Sequence, residues 1–139
     1  MKSTTAVKEK DIKREWHLVD LKGKTLGRIS TEIAKLLMGK AKPNFVRHLD
    51  MGDYVVVVNA GQVKVTGKKE DQKKYYRHSG YPGGLKEDVL KDVRAEKPEE
   101  IIIHAVSGML PQNRLKAKML KRLKVFKSET HTFADKFKK

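Results

Sequence analysis

The sequence predicts an α/β fold built on a β-α-β unit. Three segments predict it together. Tyr54-Val55-Val56-Val57-Val58 is an unbroken apolar run, four of its five residues β-branched, ended by Asn59. A strand with one wet face alternates apolar and polar residues. A continuous run points to burial on both faces, as in a parallel sheet covered by helices. Ahead of it stand an alternating segment, Trp16-His17-Leu18-Val19-Asp20, and the stretch KTLGRISTEIAKLLMGK, whose apolar residues recur at helical spacing. Strand, helix and buried strand in that order make the unit.

The elements follow along the chain. Residues 1–15, MKSTTAVKEKDIKRE, mix acids with bases and hold no apolar run. They are read as a polar N-terminal arm, neither signal nor transit peptide. The strand Trp16–Asp20 ends at a Lys22-Gly23 turn. Leu26, Ile29, Ile33, Leu36 and Leu37 define one helix face, with Thr25 as N-cap and Gly39 as stop. Pro43 and Gly52 punctuate the loop before the buried strand. Residues 61–78 hold six basic residues and end in a strand around Tyr75 and Tyr76. The loop SGYPGGL follows. A helix is then expected from about Lys86 to Arg94, with Leu85, Val89, Leu90 and Val93 on one face. Pro98, followed by Glu99 and Glu100, reads as a helix start, with acids at the positive end of the dipole. Ile102, Ala105, Val106 and Met109 continue that helix, although three consecutive isoleucines leave a strand as the competing reading. Pro111 marks a break. Leu115, Met119, Leu120 and Leu123 form the stripe of a last helix, and Val125-Phe126 a last short strand. No repeat or linker divides the chain, so residues 16–127 are read as a single domain and 128–139 as a basic C-terminal tail.

The charge bounds the function. The 139 residues carry 32 Lys plus Arg against 17 Asp plus Glu, a net charge of +15. Such self-repulsion is neutralised by a polyanion, with nucleic acid the first candidate and an anionic membrane surface the second. The absence of cysteine excludes a disulfide framework, a thiolate zinc site and a cysteine nucleophile, and fits a reducing compartment. No apolar run approaches the roughly 18 residues of a membrane span.

The surplus is concentrated. Residues 112–127 carry seven bases and no acid: Arg114, Lys116, Lys118, Lys121, Arg122, Lys124 and Lys127. With the apolar stripe buried, Arg114, Lys118, Lys121 and Arg122 are expected to project from the other side. A second candidate is the glycine-rich loop and the basic stretch leading into it, which contains Lys68 and Lys69. Gly83 and Gly84 would let backbone N–H groups approach a phosphate. Arg77 and Lys86 bracket the loop with charge, while His78 and Tyr81 offer planar faces for bases or riboses. Lys40, Lys42, Arg47 and His48 form a weaker third cluster. Residues 87–100, with six acids and three bases, suit solvent or a protein partner.

Enzymatic signatures fail on spacing. Gly23-Lys24-Thr25 resembles the end of a phosphate-binding loop, but Leu18 occupies the first glycine position. Between Gly61 and Gly67-Lys68 there is one residue too many, and Lys69 replaces the magnesium-binding hydroxyl. Arg77 stands where a nucleophile elbow needs glycine. His17, His48, His78, His104 and His131 lack metal-ligand spacing, and His104 is expected in the core or an interface. Asp50 and Asp53 show no evident basic or metal partner. No catalytic residue, metal or cofactor is assigned.

Four blocks carry a family resemblance. They are Trp16–Asp20 running into Lys24-Thr25-Leu26-Gly27-Arg28; His48 to Asn59-Ala60; Tyr75 to Gly84; and Val106-Ser107-Gly108-Met109-Leu110-Pro111 with the basic helix and Leu123-Lys124-Val125-Phe126. Their order and content resemble the universal large-subunit ribosomal proteins of the L-thirteen family, in the bacterial form. The resemblance spans about Trp16 to Phe126. It implies a three-layer α/β/α domain with a small, mainly parallel sheet. It also implies a structural protein of the cytoplasmic large ribosomal subunit that binds large-subunit ribosomal RNA, supports early assembly and lies beside other large-subunit proteins. It implies no activity, small-molecule substrate or membrane partner. The chain departs from the family at Lys116, where a glycine is usual, at Lys127-Ser128, and at Phe133, which replaces a histidine.

The expected mechanism is electrostatic docking with counterion release, followed by recognition of RNA shape. Replacing Lys118, Lys121 and Arg122 by alanine is expected to flatten the salt dependence. A DNA-binding module would share the charge, but no helix-turn-helix or zinc-finger pattern is present. A phosphate-handling α/β enzyme would share the β-α-β unit.

Overall fold

The computed structural model describes residues 7–137, so residues 1–6 of the expected arm and 138–139 of the tail lie outside the described residues. The main sheet has strands β1 (Trp16–Asp20), β2 (Tyr54–Val58) and β5 (Leu123–Val125). Their order is β1-β2-β5, and both pairings are parallel. A separate antiparallel hairpin joins β3 (Lys74–His78) to β4 (Leu85–Val89). The helices are α1 (Leu26–Met38), the single turn α2 (Lys69–Gln72), α3 (Leu90–Glu96), α4 (Pro98–Met109) and α5 (Leu115–Lys121). The α/β class and the small, mainly parallel sheet are those expected. Among the described residues, no helix is long and apolar enough to cross a membrane.

Alternation along β2 explains its unbroken apolar run. Val55 and Val57 face the main core, where Ile29, Ile33 and Leu37 of α1 join Ile101, Ile102 and Val106 of α4. Val56 and Val58 are also buried, on the opposite face. On that side Trp16 stacks on Tyr54 with centroids 4.4 Å apart. Phe133 and Phe137 then close on Trp16, and Phe126 contacts His131 and Phe133. The segment after β5, with only a 3-10 turn at Ala134–Lys136, brings these aromatics there.

Helix α1 begins after Thr25 and stops at Gly39, as expected, but the Thr25 side chain makes no capping bond. Gly39 takes the left-handed conformation, φ +76°, that ends helices without a Cβ clash. Pro98 opens α4, so the isoleucine run is helical.

Three expectations need correction. Leu85–Val89 is a strand, not the start of a helix. The turn at 79–84 folds it back on β3, where all five residues pair, and Leu85 is 55% exposed; the helix starts only at Leu90. Leu123 belongs to β5 rather than to the stripe of α5, which ends at Lys121, and Phe126 lies beyond the strand. His104 is not in the core, the first of its two expected places: it is on the exposed side of α4, edge-on to Tyr75 at 5.1 Å, because the buried side of that helix is filled by Ile101, Ile102 and Val106.

Candidate nucleic-acid interface

The helix α5 buries Met119 and half-buries Leu115 and Leu120, which leaves Arg114, Lys118 and Lys121 exposed. Arg114 and Lys118 are four residues apart and Lys118 and Lys121 three, so the three cations share one side of the helix. None of them pairs with an acid among the described residues. Lys116 is half-buried and donates to Gln112 Oε1 at 3.0 Å. Lys124 is half-buried within β5. A cleft of about 290 Å³ lined by Met38, Lys40, Phe45, Arg47, Asn113 and Met119 brings Lys40 and Arg47 beside the approach to α5. The third basic cluster and the basic helix therefore adjoin.

Arg122 does not belong to this surface, which corrects the expectation that it projects with Lys118. It is only 7% exposed. Its two terminal nitrogens donate to the two oxygens of Asp50, each at 2.5 Å, and Nη2 also reaches the Leu37 carbonyl at the end of α1 at 3.2 Å. A cation there caps unsatisfied carbonyls and complements the negative end of the helix dipole. Arg14 holds the Asp50 and Gly52 carbonyls of the same loop. Lys42 donates to the Lys13 and Met51 carbonyls and to Asp53 Oδ1. Asp50 and Asp53, without partners in sequence, thus have several in space. Burial pushes the Asp53 carboxyl up, but Lys42, the Glu15 N–H and His17 outweigh it and hold the group below the usual aspartate value. Arg94 is likewise built in, bonded to both oxygens of Glu70 and to the Gly61 and Val63 carbonyls.

At the hairpin tip, Arg77 stands directly opposite Lys86, and both are exposed. Like charges across a strand pair destabilise it. Arg77 is partly relieved by Asp88 at 2.7 Å. Tyr81 at the tip is 76% exposed. The Gly84 amide, one of the two expected to approach a phosphate, is used within the turn. Gly80 N–H donates to His78 Nδ1, Ser79 N–H to the Gly84 carbonyl, and Gly84 N–H to the Tyr81 carbonyl. Those three donors are satisfied within the turn, with Gly80 and Gly83 at positive φ. The side chains of Arg77, His78, Tyr81 and Lys86 remain as its recognition groups.

The structure also gathers cations that sequence reading passed over. The two glycine-lysine segments dismissed as phosphate loops lie side by side. Lys64 N–H donates to the Lys24 carbonyl, and Leu26 and Gly23 N–H groups donate to the Lys64 and Gln62 carbonyls. Lys22, Lys24, Arg28 and Lys64 are exposed there, with Lys68 and Lys69 following. The two segments are far apart in sequence, and the parallel bridge Thr25↔Lys64 with its neighbouring hydrogen bonds unites them. This cluster meets the start of α1, whereas Arg122 and α5 meet its end. Thirteen residues separate the two sites by about 20 Å.

The chain matches the family model for ribosomal protein L13 over residues 14–132. It is 57% identical over 134 residues to the large ribosomal subunit protein uL13 of Clostridioides difficile, covering 96% of this chain and 93% of that one. The protein of the same name from Dehalococcoides mccartyi is 54% identical, covering 95% and 92% of the two chains. That from Thermotoga petrophila is 55% identical, covering 94% and 88%.

Proposed function

The chain belongs to the ribosomal protein L13 family, a structural and non-enzymatic one, and on that premise we propose that it binds large-subunit ribosomal RNA through its basic surfaces and supports early assembly of the large subunit. The observation that carries this reading is the row Arg114, Lys118 and Lys121 along α5 and its N-cap, exposed and without acidic partners among the described residues, extended by Lys40 and Arg47. Phosphates neutralise such cations and release condensed counterions. Lys116 and Lys124 flank the row. Arg77 and Lys86, with His78 and Tyr81, supply a second contact, and Lys68 and Lys69 a third that includes Lys24 and Lys64. Gly83 and Gly84 shape the turn that presents the second. The assembly role rests on the family alone. The native protein is expected to sediment with the large subunit and to stay bound at moderate salt. Release as free protein under those conditions would overturn the reading.

A further inference from the structure

We propose that the cleft between the β3–β4 hairpin and α4 docks a cationic segment of a neighbouring protein in the large subunit, anchored by an apolar side chain. This rests on the large-subunit reading above. The cleft holds about 340 Å³ and has Tyr75, Tyr76, Val93, Ile103 and His104 in its wall. Tyr76 is 62% and Ile103 41% exposed, so large apolar groups face water at the same place. A continuation of the cleft shares Arg77, Asp88, Val93 and Glu100 with it and adds Asp92 and Glu96.

The rim therefore carries four acids, Asp88, Asp92, Glu96 and Glu100, against Arg77 and Lys97. Asp88 pairs with Arg77, and Glu100 with Lys97 at 3.5 Å. Asp92 and Glu96 have no cationic partner among the described residues. Unpaired acids around an apolar floor, on a chain of net charge +15, oppose RNA phosphates and attract a basic partner. The apolar floor adds what a phosphate backbone cannot use, a pocket for an anchoring side chain.

The chain has no cysteine, so a single introduced one is a unique probe. Ile103→Cys, and separately Glu96→Cys on the rim, carry a benzophenone maleimide into large subunits. Sedimentation scores incorporation, and so tests the large-subunit reading separately. Irradiation of the incorporated chain then tests the cleft. The expected product from at least one position is ribonuclease-resistant and maps to a Lys/Arg-rich segment of another subunit protein. Adding Asp92→Lys with Asp88→Lys should lower its yield by about tenfold, since juxtaposed like charges oppose docking. Cross-links to RNA only, to this chain only or to a non-basic segment would overturn the proposal, as would no cross-link from either position in incorporated protein.

Discussion

Arg122 and Lys118 stand four residues apart, and they divide the basic segment into structural and surface cations. Arg122→Ala would leave Asp50 without its bidentate partner, with only Arg14 near it at 3.6 Å, and the Leu37 carbonyl without its side-chain donor. Breaking one side of a buried pair costs about 3–5 kcal/mol. Urea denaturation should show a loss of that size, with little rescue by lysine, which lacks the planar fork. Lys118→Ala is expected to stay within about 0.5 kcal/mol of the parent. Asp53 carries a pH dependence of definite sign. Its folded pKa is depressed, so its contribution is present above the unfolded aspartate value and lost as pH falls through the folded one. Asp53→Asn should be less stable than the parent at neutral pH, and the gap should narrow below about pH 4. A gap constant down to strongly acidic pH would contradict the Lys42–Asp53–His17 arrangement. Helical spacing puts Arg122 beside Lys118, but α5 ends at Lys121 and the chain turns into β5 at Leu123, so Arg122 is buried instead.

At the scale of elements, the loop before β2 is fixed by backbone proximity. A Cβ on Gly52 would fall 1.6 Å from the Leu37 carbonyl oxygen. Nothing flexible can yield there, so Gly52→Ala should fail to reach the native state or lose most of its thermal stability. The C-terminal segment offers an optical test. Trp16 is the single tryptophan and packs against Tyr54, Phe133 and Phe137. Phe133→Ala is expected to shift its emission to the red and to cost at least about 1 kcal/mol. An unchanged spectrum would mean that the segment does not close the sheet.

The β-α-β unit was legible because its patterns are local: five alternating residues, a helical stripe and a buried run. The hairpin was half legible. Its first strand shows two tyrosines, but Leu85-Lys86-Glu87-Asp88-Val89 has three charged residues at its centre and gains its identity only by pairing with β3. The C-terminal segment has no period to read, since its phenylalanines are held by one tryptophan from the other end of the domain. The site divides in the same way. The exposed side of α5 was legible, whereas the joining of residues 22–28 to residues 64–69 depends on hydrogen bonds that no single window contains.

For the molecule as a whole, the charge is sorted by place. Arg14, Lys42, Arg94 and Arg122 are spent on internal carboxylates and carbonyls. The acids of residues 87–100 gather at β4, α3 and the first turn of α4. Of the exposed cations, two groups lie at the two ends of α1, about 20 Å apart and so far enough apart to engage separate stretches of RNA backbone, and Arg77 and Lys86 lie on the hairpin. Replacing Lys24, Lys64 and Lys68 by alanine should therefore weaken RNA binding additively with changes on α5, because distant sites without shared partners act independently. The most direct test of the central claim is the slope of log K against log salt for large-subunit ribosomal RNA, measured for the parent and for Arg114→Ala with Lys118→Ala and Lys121→Ala. Three lost phosphate contacts should make the slope shallower by about 2 to 3. An unchanged slope in the folded triple variant would show that this side of α5 does not face RNA.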